Sequence, residues 1–272
     1  PGAVSKDAFH YLQITIGYLI GYFTIAYVLL PIYYKLNLTS IYHYLEQRLG
    51  FNAYKTGASF FVLSRTLGAT ARLYLVVKIL QVFILDSLGV PFWATTLVIL
   101  IMILLYTYEG GVKTIVWTDT LQTFFMLLSV GICIVIVSQD LGLNINTISG
   151  FIAESDFSKT FFFEDASLPS YFWKQFISGV FIAIVMTGLD QDMMQKNLTC
   201  KNLKEAQKNM KVFSFVLTFV TGLFLLLGAL LFIYADQQGI SMPLMDGKPK
   251  TDLLFPKIAL EGNLGIAVAI TF

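Results

Sequence analysis

Charge is scarce in this sequence. Lys, Arg, Asp and Glu make up 13% of its 272 residues, against 56% hydrophobic. An ordinary soluble domain carries about 25% charged residues. With a mean hydropathy of +0.72, a water-soluble fold is excluded. Cysteine is nearly missing. Cys133 and Cys200 lie in different segments and supply neither a disulfide framework nor a metal cluster. Histidine is as rare, and His10 and His43 are isolated. There is no phosphate loop, no zinc-binding helix and no serine elbow, so an enzyme is not expected. A net charge of +1 offers no basic excess, and no nucleic-acid partner is expected. No signal peptide is visible. The chain begins at Pro1-Gly2 and ends inside the apolar run Gly265 to Phe272, so both ends are expected to be cuts.

What the sequence has is apolar runs of membrane-spanning length, about 20 residues. Seven are marked, at 11–34, 56–85, 92–108, 118–139, 171–195, 212–235 and 263–272. They imply an all-α membrane protein with a single domain over 1–272. The loops carry an orientation signal. If the first span runs inward, the inner loops hold Lys35, Arg48, Lys55, Lys113, Lys196, Lys201, Lys204, Lys208 and Lys211. The outer side holds only Lys6, Lys159, Lys248, Lys250 and Lys257, with the acids Glu154, Asp156, Glu164 and Asp165. Excess Lys and Arg mark the cytoplasmic face. The expected arrangement puts 196–211 inside and 140–170 outside. The glycosylation patterns at Asn37 and Asn197 then fall inside and are discounted.

Three places carry chemistry. Arg65 and Arg72, seven residues apart, lie within about 20° of each other on a helix, with Gly68 and Ala69 between them. Intramembrane charges face the protein interior or water, and an arginine fork suits a carboxylate. The arginines could equally pair with acids on neighbouring helices. The segment Phe176 to Met186 is too short to span, and breaks into Thr187-Gly188-Leu189-Asp190-Gln191-Asp192. Gly-interrupted hydrophobic segments point to transporter binding sites; the alternative is that the membrane ends there and Asp190 caps the next turn. Asp119, Gln122 and Thr123 share a helix face at spacings of three and four, and a carboxylate with neutral oxygens suits a hard cation. Alternatively, Asp119 only complements its own helix dipole.

Three runs then resemble the sodium:solute symporter family, which includes sodium/glucose, sodium/proline, sodium/iodide and vitamin transporters. They are Leu36-Asn37-Leu38-Thr39-Ser40-Ile41-Tyr42-His43-Tyr44-Leu45-Glu46-Gln47-Arg48; Tyr106-Thr107-Tyr108-Glu109-Gly110-Gly111 with Val116-Trp117-Thr118-Asp119 and Leu121-Gln122; and Gly188-Leu189-Asp190-Gln191 with Gln195-Lys196-Asn197-Leu198. The resemblance implies a leucine-transporter-type inverted-repeat helical bundle. It is expected to be incomplete, with core helices about 2–7 and the ends of 1 and 8. It implies solute contacts near Thr15, Tyr18, Ala183, Met186, Thr187 and Asp190, and a sodium pathway at Asp119. The principal sodium site of helices 1 and 8 is expected to lie outside the chain.

Lys196 stands where the family more often has arginine, and Asp190 where many members have asparagine, although some sugar transporters have aspartate. Met186 and Thr187 stand where sugar-binding members can carry aromatic rings. With Arg65 and Arg72, this favours an anionic solute, a carboxylate or an acidic sugar. The expected function is Na+-coupled symport by alternating access in the plasma (inner) membrane, the partners being the solute, sodium and the bilayer. A symporter-like sensor domain and a neutral-sugar symporter are the alternatives.

Overall fold

The computed structural model describes Val4 and residues 8–38, 40–155, 157–245 and 248–261. These form a helical chain. Helix α1 covers Tyr11–Lys35, with a π-helical turn at Ile25–Leu29. Helix α2 is Ile41–Leu49, and α3 is Phe51–Leu80, extended by a π turn at Gln81–Leu85. Helix α4 is Phe92–Asp140 and α5 is Ile145–Ala153. Helix α6, Phe172–Ala183, runs into a π turn at Ile184–Gly188. Helix α7 is Gln191–Leu198, α8 is Leu203–Gln237 and α9 is Leu254–Glu261. Among the described residues the one strand pairing is a two-residue ladder, Leu244–Met245 with Lys248–Pro249.

The chain divides into two compact units, Pro1–Phe61 with Ile145–Ala229, and Val62–Asn144 with Leu230–Phe272. The first is built on α1 against α6. Gly17 and Gly21 on α1 face Gly179 and Ala183 on α6, small residues four apart on both helices. A Cβ on Gly17 would meet the Phe176 carbonyl, and one on Gly179 the Ile14 carbonyl. Helices in lipid gain little from burying apolar groups against each other, so close backbone approach through small residues drives their packing. Around this seam Tyr22, Ile25, Ala26, Leu30, Tyr33, Ala183, Met194, Ala206 and Met210 form the core. Ser40 caps α2 by accepting from the Tyr42 N–H at 3.2 Å, and Gly50, at φ 89°, turns the chain into α3.

In the second unit, Val130, Cys133, Ile134 and Val137 are buried at helical spacing on α4. Gln81 ties the end of α3 to the start of α4. Its amide donates to the Asp86 carboxylate at 2.7 Å and the Val90 carbonyl at 2.6 Å, and accepts from the Thr95 hydroxyl at 2.8 Å.

The sequence reading places a loop, marked by Lys113, between 92–108 and 118–139. The backbone instead stays helical through α4. No proline interrupts it, and Gly110 and Gly111 remove no donor; each costs a helix only about 1 kcal/mol. At about 1.5 Å per residue α4 is about 74 Å long, more than twice the ~30 Å hydrocarbon core. It therefore carries two separate apolar stretches, Phe92–Leu105 and Trp117–Asp140. The expected last span, 263–272, lies outside the described residues.

Candidate functional site

A helix that ends inside an apolar layer strands backbone groups. Helices α6 and α7 are together apolar and long enough for one span, and the helix stops between them. The π turn of α6 is followed by Leu189 and Asp190, and α7 leaves at 67°. The break, at Leu189 and Asp190, thus directly follows the glycine that marks it in the sequence. Gly188 is small for a different reason: a Cβ there would come within 2.6 Å of Leu29 and 2.8 Å of Ile25.

Helix α1 clasps this break with two tyrosines. The Tyr33 hydroxyl donates to the Gly188 carbonyl at 3.1 Å, and the Tyr22 hydroxyl lies 3.3 Å from the Thr187 hydroxyl. Below the break, Asp190 caps α7 by accepting from the Met193 N–H at 3.1 Å. The Gln191 side-chain oxygen accepts from the Ile41 N–H at 2.8 Å and the Ser40 hydroxyl at 3.1 Å. Tyr34 donates to the carbonyls of Asn197 and Cys200. Each polar end of the break is therefore held by α1 or α2.

The π turn of α1 faces the break and has its own orphan. Leu30 N–H reaches back five residues to the Ile25 carbonyl. The next residue is Pro31, which has no N–H, so the Ala26 carbonyl loses that donor. The Gln207 amide of α8 donates to it instead, at 2.9 Å. At the other end of α1, Gln13 is fully buried. Its amide donates to the Ser170 carbonyl at 2.9 Å, and its oxygen accepts from the Phe162 N–H at 3.0 Å. This pins residues 157–171 against the start of α1. There the Lys159 ammonium, 2.8 Å from Glu164, holds that carboxyl below the usual range, and the Ser167 hydrogen bonds do the same for Asp165.

The residues singled out in the sequence are distributed as follows. Thr15 is fully buried, and its hydroxyl donates to the Tyr11 carbonyl at 3.0 Å. Tyr18 packs on the core cluster, and Ala183 is buried against Gly21. Thr187 meets Tyr22, Met186 is 66% exposed and Asp190 is half-buried. These six share the first unit. Arg65, half-buried, and Arg72, exposed, stand on α3 in the second unit. So do Asp119, Gln122 and Thr123, all exposed on α4; the Thr123 hydroxyl donates to the Asp119 carbonyl at 2.7 Å. A hydroxyl that donates its proton this way still has lone pairs for a cation. Sequence reasoning missed Tyr22, Tyr33, Gln13 and Gln207 as site residues, and named Gln191 only as part of the polar break. Their only signal was polar side chains in or beside apolar runs.

The model of the sodium:solute symporter family matches residues 1–259. The chain belongs to the sodium:solute symporter family. Within it, the sodium-dependent multivitamin transporter of Oryctolagus cuniculus is 26% identical over 211 residues, 76% of this chain and 32% of that protein. The sodium/sialic acid symporter of Proteus mirabilis (strain HI4320) is 25% identical over 243 residues, 86% of this chain and 45% of that protein. The chain thus spans between a third and a half of the length of these relatives. A solved Na+-coupled sialic acid symporter, in a substrate-bound outward-open state, superposes with a TM-score of 0.69 at 21% identity, over 99% of this chain and 58% of that one. The fold is accordingly the leucine-transporter-type helical bundle in part.

Proposed function

We propose that this chain is part of a sodium-coupled symporter that imports a small anionic organic solute by alternating access, from the plasma (inner) membrane. Residues 1–272 belong to one transporter domain, with 196–211 cytoplasmic and 140–170 external. The observation that carries the reading is the 67° break between α6 and α7, clasped by α1, in a member of a symporter family. Broken helices are where such proteins hold substrate and ion. In the first unit the solute contacts are Thr15, Tyr18, Ala183, Met186, Thr187 and Asp190. In the second they are Arg65 and Arg72, whose guanidinium forks suit a carboxylate. Asp119, with Gln122 and Thr123, lines the sodium pathway. That one relative is a symporter of sialic acid, an acidic sugar, supports the anionic class.

The test is uptake into proteoliposomes holding the full-length protein, driven by a sodium gradient, against a panel of carboxylates, acidic sugars and neutral sugars. Carboxylates or acidic sugars should enter, and replacing sodium by potassium should abolish uptake. Uptake of neutral sugars alone would overturn the anionic reading. Arg72→Lys keeps the charge and loses the fork, so apparent solute affinity should fall about tenfold.

A further inference from the structure

A membrane protein also binds the lipids beside it, and one face of the first unit is ordered like a lipid. On α8, Lys204, Lys208, Lys211, Phe215 and Phe219 are spaced four, three, four and four apart. At 100° per residue they fall within a stripe of about 80°. Lys204 and Lys208 are exposed, Phe215 is 58% exposed and Phe219 68%. The stripe runs from three ammonium groups to two rings along a single helix face. Lys201 lies three residues before it in the chain, ahead of the helix. Glu205 is the one acid of residues 199–211 and stands about 100° from Lys204, off the stripe.

Helix α1 builds the second wall. The Lys211 ammonium donates to the Tyr27 hydroxyl at 3.2 Å and lies 5.4 Å from the ring centre. Tyr27 is 56% exposed. Next to it Phe23 stands 6.3 Å from the Tyr27 ring and 6.1 Å, edge-on, from Phe215. The opposite face of α8 is committed to the core through Ala206 and Met210, and Gln207, beside the stripe, bonds to α1. That fixes the rotation of α8, and so the direction of the stripe.

We propose that Lys204, Lys208 and Lys211 with Tyr27 bind the phosphate headgroup of an acidic phospholipid, whose acyl chains lie along Phe23, Phe215 and Phe219. Clustered lysines at the cytoplasmic end of a span attract anionic lipid, and here the rings begin where the headgroup ends. The proposal rests on the cytoplasmic placement of 196–211 stated above, but its readout needs no transport. Purified, delipidated full-length protein is titrated with phosphatidylglycerol or phosphatidylcholine, and bound lipid is counted by native mass spectrometry. Phosphatidylglycerol should bind about tenfold more tightly, and Lys208→Gln/Lys211→Gln should remove that preference. Phe215→Ala should weaken both lipids and leave their ratio. Should the double variant misfold, the exposed Lys208→Gln alone should lower the preference severalfold. Equal binding of both lipids by the unaltered protein, an unchanged preference in the lysine variants, or full competition by inorganic phosphate would each overturn the proposal.

Discussion

The two units solve the problem of packing apolar helices differently. In the first, α1 and α6 approach so closely that glycine faces backbone, and buried glutamine and tyrosine side chains complete broken hydrogen-bond ladders. In the second, α3 and the first part of α4 leave a broad apolar surface, with Leu63, Leu67, Val98, Leu104 and Leu105 all exposed. A Cβ on Gly68 or Gly131 would meet nothing within 4 Å among the described residues. Glycine is therefore a contact residue at the α1–α6 seam of the first unit, at Gly17, Gly21 and Gly179, and a mere gap in side-chain cover at Gly68 and Gly131 of the second. Polar groups are also used differently. Gln81 closes a local turn, whereas Gln13 and Gln207 bond across 157 and 181 residues.

The contrast is broken most directly at the glycines. Gly179→Leu should abolish the folded state, because a side chain against the Ile14 carbonyl forces α1 and α6 apart at a cost of roughly 3 kcal/mol or more. Gly68→Ala should be neutral or stabilising by up to about 1 kcal/mol through helix propensity. Thermal melting of the purified full-length protein reads both. Equal destabilisation would mean the units do not differ.

The next largest effect is expected at Gln13. Gln13→Leu leaves the Ser170 carbonyl and the Phe162 N–H without their partner, at about 2–4 kcal/mol for the two together. Protease cleavage within 157–171 should accelerate while α1 and α6 stay protected. Unchanged cleavage would show that the aromatic cluster of Phe161, Phe163 and Phe172 holds the loop without Gln13.

A smaller effect sharpens the account of the α1 π turn. Gln207→Leu should cost about 1–2 kcal/mol by stranding the Ala26 carbonyl. Pro31→Ala restores a backbone N–H, so the same change made in that background should cost measurably less. A double-mutant cycle on melting temperature would show coupling of at least about 0.5 kcal/mol; strict additivity would mean the proline does not create the orphan.

The smallest effect is a pH dependence in the loop. Hydrogen bonding from the Ser167 side chain, and from its N–H at 2.7 Å, lowers the Asp165 carboxyl below its ordinary value. A depressed folded pKa contributes stability above the unfolded pKa, about 3.9, and that contribution is lost as the pH falls through the folded value. Protection of the Ser167 amide, its exchange rate taken relative to the intrinsic rate at each pH, should be steady from neutral pH down to about 4 and fall below it. Asp165→Asn should remove that fall.

Much of the architecture was legible because bilayer thickness imposes a length on every span. The sequence marks the apolar part of α1, α6 and α8 directly, and Thr187 to Asp192 as a polar interruption. It misjudged α4, where Glu109, Gly110, Gly111 and Lys113 read as a loop; a local polar pattern does not report whether a helix stops there. Family membership was legible for a related reason, since three runs keep their residue types and order. Site assignments were less so. Thr15 and Ala183 were named only through the family resemblance, and the surroundings of Ala183 are set by Gly21 of α1, over 150 residues away in the chain.

The sequence by itself determined the solvent of this protein, the apolar segments and the place where one helix must break, because these follow from hydropathy and backbone chemistry within about 20 residues. Only the tertiary structure decided what each break is held by. Pro31 removes a donor locally, but that Gln207 supplies the replacement depends on α8 lying against α1. Gly188 reads in the sequence as the interruption of an apolar segment, but its lack of a side chain is required by Ile25 and Leu29. The physical reason is that a stranded carbonyl in an apolar layer accepts any donor within reach, and which donor is within reach is a property of the packing, not of the neighbouring residues in the chain.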